Sequence, residues 1–374
     1  MPANLKARVK RLYKFLEADH KRTPDVVLLR NATDPHLDLS FFWLTGIEAG
    51  LFEGCAVAAY PDGHVTLFTT ALEEQSARRS AGGFEVVVFR EKTELAKNLT
   101  TVLGKSGPRT VAVNANELTY ASFLGLKKLF PKAKFLDGSR AFVRARLVKD
   151  DEEVQRIAEA SRIASKAFDI LPDVLRVGAT EAKVAAALNN RMQELGATGP
   201  SFDTIVAFGE NAAEPHYLPQ ARKLRRGDYV LCDYGARYKR YASDITRTVV
   251  FGKASPKHRR VYELVMEASD MGIRMMNPGT MSGDPHVAVS KFIDSTEFKG
   301  RFIHSLGHSL GLAVHDGGAL NPNTSVKMEP GMVFTVEPGI YLPGFGGVRI
   351  EDDVLVTKGK PKVLTTAPRD LIEL

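Results

Sequence analysis

Four acidic residues stand at the ends of apolar runs in the C-terminal half of this chain, where core strands are expected. Asp233 closes one such run, and Asp244 comes eleven residues later, at the start of the next. Glu337 and Glu351 repeat the arrangement fourteen residues apart. Each pair fits a β-hairpin, so the sequence predicts carboxylates inside a folded core. A buried carboxylate needs a partner, a proton or a metal ion.

Nearby cations are too few to neutralise these four acids. Arg349 lies two residues before Glu351, which predicts the same strand face and an ion pair between them. Arg247 lies three residues after Asp244, which predicts the opposite face. A bound pair of metal ions would balance the remaining negative charge.

The histidines strengthen the prediction of a metal site. Three of the nine, His304, His308 and His315, fall within one twelve-residue segment. A single strand-end acid more often caps a turn, and a single histidine more often packs in a core or on a surface. Two acid hairpins together with a histidine cluster favour a ligand set of mostly oxygen donors, which suits Mn²⁺, Co²⁺, Fe²⁺ or Zn²⁺. Two such ions about 3.5–4 Å apart would hold a bridging hydroxide that can attack a carbonyl carbon.

Composition excludes several other classes of protein. The 374 residues include 44% hydrophobic and 25% charged residues, which is typical of a globular chain of two domains. The apolar runs are far shorter than the roughly 18 residues of a membrane span, so we expect no membrane insertion. The net charge of +7 is spread without interleaved aromatic residues, so we expect no nucleic-acid partner. Two distant cysteines and the lack of a secretory signal pattern favour a cytoplasmic location.

The chain divides in two by its secondary-structure pattern. Helical and strand-like segments alternate through the first 140 residues, which predicts an α/β layer domain over residues 1–142. The second domain is expected over residues 149–374, opening with a long helix whose first turn is acidic. Thr180 is a predicted N-cap of the next helix, and strands with glycine turns dominate the remainder.

Four segments resemble the pita-bread metallopeptidase family, which includes Xaa-Pro dipeptidases (prolidases), Xaa-Pro aminopeptidases and methionine aminopeptidases. They are residues 229–248, 303–316, 333–339 and 347–353. The N-terminal half, with FFWLTGIEAG at residues 41–50, resembles the creatinase-like domain found in the first two of these enzymes. The resemblance implies an α/β (α+β) fold: a creatinase-like N-terminal domain and a pita-bread C-terminal domain, whose curved antiparallel sheet carries the acids on its concave face. It also implies a homodimer.

The same resemblance implies five metal ligands: Asp233, Asp244, His308, Glu337 and Glu351. Asp244 and Glu351 would bridge two ions, with Asp233 completing one site and His308 and Glu337 the other. Glu337 is also the expected proton shuttle.

Further residues match family positions around the substrate. His216 matches a substrate-binding histidine, and His315 one that steadies the scissile carbonyl and the tetrahedral intermediate. His304 and Arg349 match family positions that either support the metal ligands or face the substrate. Thr246 is expected to share a strand face with Asp244 and to orient it.

The function implied is a dinuclear metal-dependent exopeptidase that hydrolyses Xaa-Pro bonds in short proline-containing peptides. Mn²⁺ or Co²⁺ is expected, and Zn²⁺ or Fe²⁺ would also fit. Many dipeptidases carry a Glu after the third histidine and an Arg soon afterwards, whereas this chain has Asp316 and then glycines. A dipeptidase and an aminopeptidase therefore both stay open.

Two other functions are compatible with the fold. A metal-free amidinohydrolase like creatinase shares both domains but lacks the ligand set. A non-enzymatic binding protein would typically have lost the ligands or gained charged extensions. Metal analysis separates both from a metallopeptidase.

Overall fold

The structure is a computed structural model, and it describes residues 4–80, 82–104 and 106–374. The chain forms two compact units, with the boundary between Arg146 and Leu147. Within the described residues, no helix combines the length and apolarity that a bilayer crossing requires.

The first unit is built on a mixed sheet of six strands in the order β4-β3-β2-β1-β5-β6. Neighbours β1, β2 and β3 are antiparallel, while the β3–β4, β1–β5 and β5–β6 pairs are parallel. The strands are β1 (Val26–Arg30), β2 (Ala56–Ala59), β3 (Val65–Thr70), β4 (Glu85–Phe89), β5 (Thr110–Val113) and β6 (Lys134–Asp137). This confirms the predicted α/β layer.

In the described part of this unit, six helices accompany the sheet: α1 (Leu5–His20), α2 (Leu39–Thr45), α3 (Glu74–Ser80), α4 (Lys92–Val102), α5 (Tyr120–Leu129) and α6 (Ser139–Leu147). Helix α1 buries one apolar face, with Leu5, Val9, Leu12 and Leu16 at helical spacing. The sequence pattern missed α2, because six of its seven residues are buried and no polar face marks a helical period.

The second unit contains α7 (Asp151–Ala167), α8 (Leu171–Val174), α9 (Glu181–Glu194), α10 (Pro256–Arg274) and α11 (Asp284–Asp294). Helix α7 begins with a capping box between Asp150 and Glu153, which explains its acidic first turn. Thr180 caps α9 as predicted, its side chain accepting a hydrogen bond from the Lys183 amide.

Antiparallel strands complete the second unit, hydrogen-bonded in four groups: β12-β9-β8, β11-β10-β7, β13-β16-β17 and β14-β15. Their bounds are β7 (Gly199–Pro200), β8 (Ile205–Phe208), β9 (Tyr229–Tyr234), β10 (Ala236–Tyr238), β11 (Tyr241–Ala242), β12 (Ile245–Val250), β13 (Val333–Val336), β14 (Gly339–Leu342), β15 (Gly346–Arg349), β16 (Asp352–Leu355) and β17 (Lys362–Val363).

Strand β9 is buried on both faces, and this brings its acid inside the protein. Tyr229 and Leu231 pack into one apolar cluster, while Val230 and Cys232 pack into another. Because side chains alternate along a strand, Asp233 lies on the face of Tyr229 and Leu231. Its cross-strand partner in β12 is Thr246.

The link after β9 requires a glycine. A Cβ atom at Gly235 would lie 1.9 Å from the Ser243 carbonyl oxygen and 2.2 Å from the Ser201 hydroxyl oxygen. Both contacts are far inside van der Waals distance, so the backbone would have to move. This is the segment that connects Asp233 to Asp244.

We predict that Gly235→Ala destabilises the protein by about 2 kcal/mol or more, since overpacking of a core typically costs about 1–3 kcal/mol. Denaturant unfolding followed by circular dichroism measures the change. Gly359→Ala is the matched control: Gly359 is exposed and the nearest atom to an added Cβ lies 3.9 Å away. Equal unfolding midpoints for the two variants would contradict the prediction.

Candidate metal centre

The four strand-end acids converge with His308 on one cavity of about 740 Å³ in the second unit. Asp233 is near the end of β9, and Asp244 directly precedes β12. Glu337 directly follows β13, and Glu351 directly precedes β16. The cavity is lined by all five predicted ligands and also by the other four predicted site residues, His216, His304, His315 and Arg349.

Three of the five predicted ligands lie close enough to share one ion. Ligand atoms of Asp244, His308 and Glu351 all lie within 4.8 Å of one another. The His308 Nε2 atom is 3.4 Å from Asp244 Oδ2 and 3.5 Å from Glu337 Oε1. Asp233 Oδ1 and Asp244 Oδ1 are buried and have no hydrogen-bond partner among the described residues. Orphaned carboxylate oxygens beside a neutral imidazole fit a divalent cation.

The electrostatics of the cavity agree with this fit. Burial, reinforced by the charges of neighbouring acids, raises the pKa of Asp244 and that of Glu351 well above their ordinary values. Burial also raises the pKa of Glu337 to about 8. Burial and the nearby His315 lower the pKa of His308 to about 3, so its ring is neutral and can bind a metal. Without a cation the acids must hold protons, and a metal would take their place.

Arg349 does not pair with Glu351, contrary to the sequence-based expectation. Its Nη2 atom donates to Asp233 Oδ2, its Nη1 atom to the Tyr341 hydroxyl at 2.9 Å, and its Nε atom to the Thr246 hydroxyl at 3.0 Å. Side chains alternate between faces only within a strand, and here β15 ends at Arg349, so Glu351 lies beyond it. The expected shared face of the two residues therefore does not form.

Thr246 also has a different partner from the one expected. Its hydroxyl donates to Glu351 Oε2 at 2.6 Å, not to Asp244. Asp244 instead is held through its backbone, since its amide donates to Asp353 Oδ2 at 3.3 Å. The Asp353 carboxylate is fixed in turn by the Ser161 hydroxyl at 2.6 Å. Glu351 and Asp244 thus each have their own support from the protein.

The predicted substrate-side histidines occupy different environments. His216 and His315 are exposed at the cavity, whereas His304 is partly buried, with Nε2 2.8 Å from the Tyr341 hydroxyl. Burial and the charge of Arg349 lower the pKa of His304 to about 4.

Sequence reasoning missed Tyr341 and Asp353. A tyrosine in an apolar strand carries no signal of its own, but its register in β14, opposite Gly347 of β15, places it beside Arg349. Asp353 follows two other acids, and its contact with Asp244 depends on where β16 begins, which the sequence pattern does not mark.

Comparison with known proteins places this geometry in a class. Residues 155–358 match the sequence model of metallopeptidase family M24, and residues 8–148 match that of the creatinase/prolidase N-terminal domain. The fold and the acid–histidine cluster are therefore those of a two-domain metallopeptidase. The chain belongs to metallopeptidase family M24.

Relatives and solved structures agree with this assignment. An Xaa-Pro dipeptidase of Pyrococcus furiosus is 36% identical over 310 residues, which cover 82% of this chain and 86% of the relative. The structure of an Xaa-Pro dipeptidase from Bacillus anthracis has a TM-score of 0.88 at 33% identity, covering 99% of this chain and 100% of that one. An X-Pro aminopeptidase from Thermotoga maritima has a TM-score of 0.87 at 30% identity, covering 96% and 100%.

We predict that Glu351→Ala lowers the number of divalent ions bound per chain, because its carboxylate lies within 4.8 Å of the ligand atoms of Asp244 and His308. Equilibrium dialysis against Mn²⁺, followed by elemental analysis, measures the metal content. Glu329→Ala is the control, since it removes an exposed glutamate outside the cavity and should change nothing. A folded Glu351→Ala variant that retains the parent's metal content would overturn the ligand assignment.

Proposed function

We propose that this protein is a dinuclear metal-dependent exopeptidase that hydrolyses Xaa-Pro peptide bonds with the specificity of an Xaa-Pro dipeptidase. The observation that supports the proposal is the single cavity lined by all five candidate ligands and three further histidines. We assign the chemistry to a domain over residues 149–374. We assign homodimer contacts, in a cytoplasmic protein, to a creatinase-like domain over residues 1–142.

The ligand set proposed is the one the resemblance implies. Asp244 and Glu351 would bridge the two ions, Asp233 would complete one site, and His308 and Glu337 the other. Mn²⁺ or Co²⁺ is proposed, and the same donors accept Zn²⁺ or Fe²⁺. When bound, the two ions supply a hydroxide nucleophile and polarise the scissile carbonyl.

The chain's own residues handle protons and orientation. The nitrogen of the scissile bond must gain a proton before proline can leave as an amine. Glu337 would take the proton that the attacking water loses and pass it from a carboxylate oxygen to the leaving nitrogen. Burial lowers the pKa of His315, so a neutral ring N–H would stabilise the developing oxyanion. His216 would bind the substrate.

An Xaa-Pro aminopeptidase is the second candidate, and one observation favours it. A dipeptide places its free carboxylate beside the scissile bond, where a cation should receive it. Among the described residues that line the cavity, Arg349 is the one Arg or Lys, and its guanidinium already binds Asp233, Tyr341 and Thr246. A longer peptide carries no carboxylate at that position.

We predict turnover of Ala-Pro and, if the second candidate is correct, of Ala-Pro-Ala as well. The protein is stripped of metal, reloaded with Mn²⁺ or Co²⁺, and offered each peptide while released alanine is measured. Cleavage of the dipeptide alone supports the dipeptidase, and cleavage of the tripeptide supports the aminopeptidase. If the metal-loaded protein cleaves neither peptide, the proposal is wrong.

A further inference from the structure

Glu181 is a buried carboxylate outside the metal ligand set. It is the first residue of α9, directly after the Thr180 N-cap, and it is 0% exposed. Acids in the first turn of a helix ordinarily face solvent and interact favourably with the helix dipole. Full burial of this one requires hydrogen bonds that replace water around both oxygens.

Four donors supply those bonds, two to each oxygen. The Phe208 amide and the Asn211 side-chain amide donate to Oε1, both at 2.9 Å. The Tyr217 hydroxyl donates to Oε2 at 2.8 Å, and the Gln220 amide donates to the same oxygen at 3.1 Å. Asn211 also donates to the Tyr217 hydroxyl at 2.7 Å, which fixes the direction of the hydroxyl hydrogen.

All four donors come from one segment, residues 208–220, and that segment carries His216. Tyr217, the next residue, is buried and anchored on Glu181, whereas His216 is exposed at the cavity. The His216 ring makes no hydrogen bond within the described part of the chain. Its position is therefore determined by the backbone on either side rather than by a partner of its own.

The opposite side of the segment is held by close backbone packing. A Cβ atom at Gly346 would lie 2.7 Å from the Gly209 carbonyl oxygen, and one at Gly347 would lie 2.2 Å from that of Ala212. Strand β15, which ends at Arg349, thus supports the start of the segment. Glu181 is the side chain that supports the part nearer His216.

We propose that Glu181 is a positioning residue: its carboxylate fixes the segment 208–220 and so holds His216 where the substrate binds. This inference rests on the proposed function for the role of His216, but the anchoring itself does not. Two acceptor oxygens are required at this position, because all four groups that face them are donors. Burial and the bond to Glu181 raise the pKa of Tyr217, so its hydroxyl keeps its proton throughout the working pH range.

Glu181→Gln is the test variant. It keeps the shape of the side chain but replaces one acceptor oxygen with an NH2 group, whose two N–H donors would then face two donors of the segment. We expect metal content unchanged, KM for the cleaved peptide raised about tenfold and kcat changed less than about twofold, as for a lost binding interaction. In a His216→Ala background the same substitution should leave KM unchanged, because residues that act as one unit are not additive.

Glu153→Gln is the matched control. Glu153 is likewise buried near a helix start, where it accepts hydrogen bonds from the Tyr241 hydroxyl and the Asp150 amide, both at 3.0 Å. The Glu153→Gln substitution should change KM by the same factor in the wild-type background and in the His216→Ala background. Hydrogen exchange gives a readout that needs no activity: the amides of residues 208–220 should exchange faster in Glu181→Gln than in Glu153→Gln.

Three outcomes would overturn the proposal: unchanged exchange in residues 208–220, an unchanged KM in Glu181→Gln, or the same rise in KM with and without His216. Wild-type protein that cleaves no peptide would instead refute the proposed function, while the exchange result would still decide the anchoring. If Glu181→Gln does not fold, Tyr217→Phe removes a single donor and should give the same pattern with a smaller change.

Discussion

Repulsion among buried carboxylates is the constraint on which this structure depends. Asp244, Glu337 and Glu351 share a cavity in which burial raises the pKa of each. The one direct ion pair in the set joins Asp233 to Arg349, and it leaves the second Asp233 oxygen without a partner among the described residues. Such a cluster is stable only when protons or cations occupy it. Cation binding therefore explains why the fold brings these groups together.

The strands that surround the cavity hold these acids at fixed distances from one another. The β9–β12 pair and the β13–β16 pair each carry two of the acids at or beside a strand end. Behind them Arg247, which is nearly fully buried, donates to Asp352 Oδ1 at 2.7 Å and also to the Glu351 carbonyl oxygen. On the side of the strands away from the cavity, Arg247 thus neutralises the charge of Asp352. On the cavity side, the negative charge of the acids is available to bind a cation.

Much of this arrangement could be predicted from the sequence. The strand-end positions of the four acids follow from the apolar runs next to them. The partners of Arg349 and Thr246 could not be predicted in this way. Asp244 and Glu351 lie just outside β12 and β16, so the alternation rule does not reach them. Glu181 was hidden because burial of a first-turn acid depends on a distant segment, residues 208–220.

Electron paramagnetic resonance of the protein loaded with about two equivalents of Mn²⁺ per chain tests directly whether the carboxylate cluster binds a pair of ions. Ions that share the carboxylates of Asp244 and Glu351 must be exchange-coupled. We predict the broad spectrum of a coupled pair and loss of the hyperfine lines of isolated ions. Hyperfine lines of isolated Mn²⁺ at full loading would contradict it.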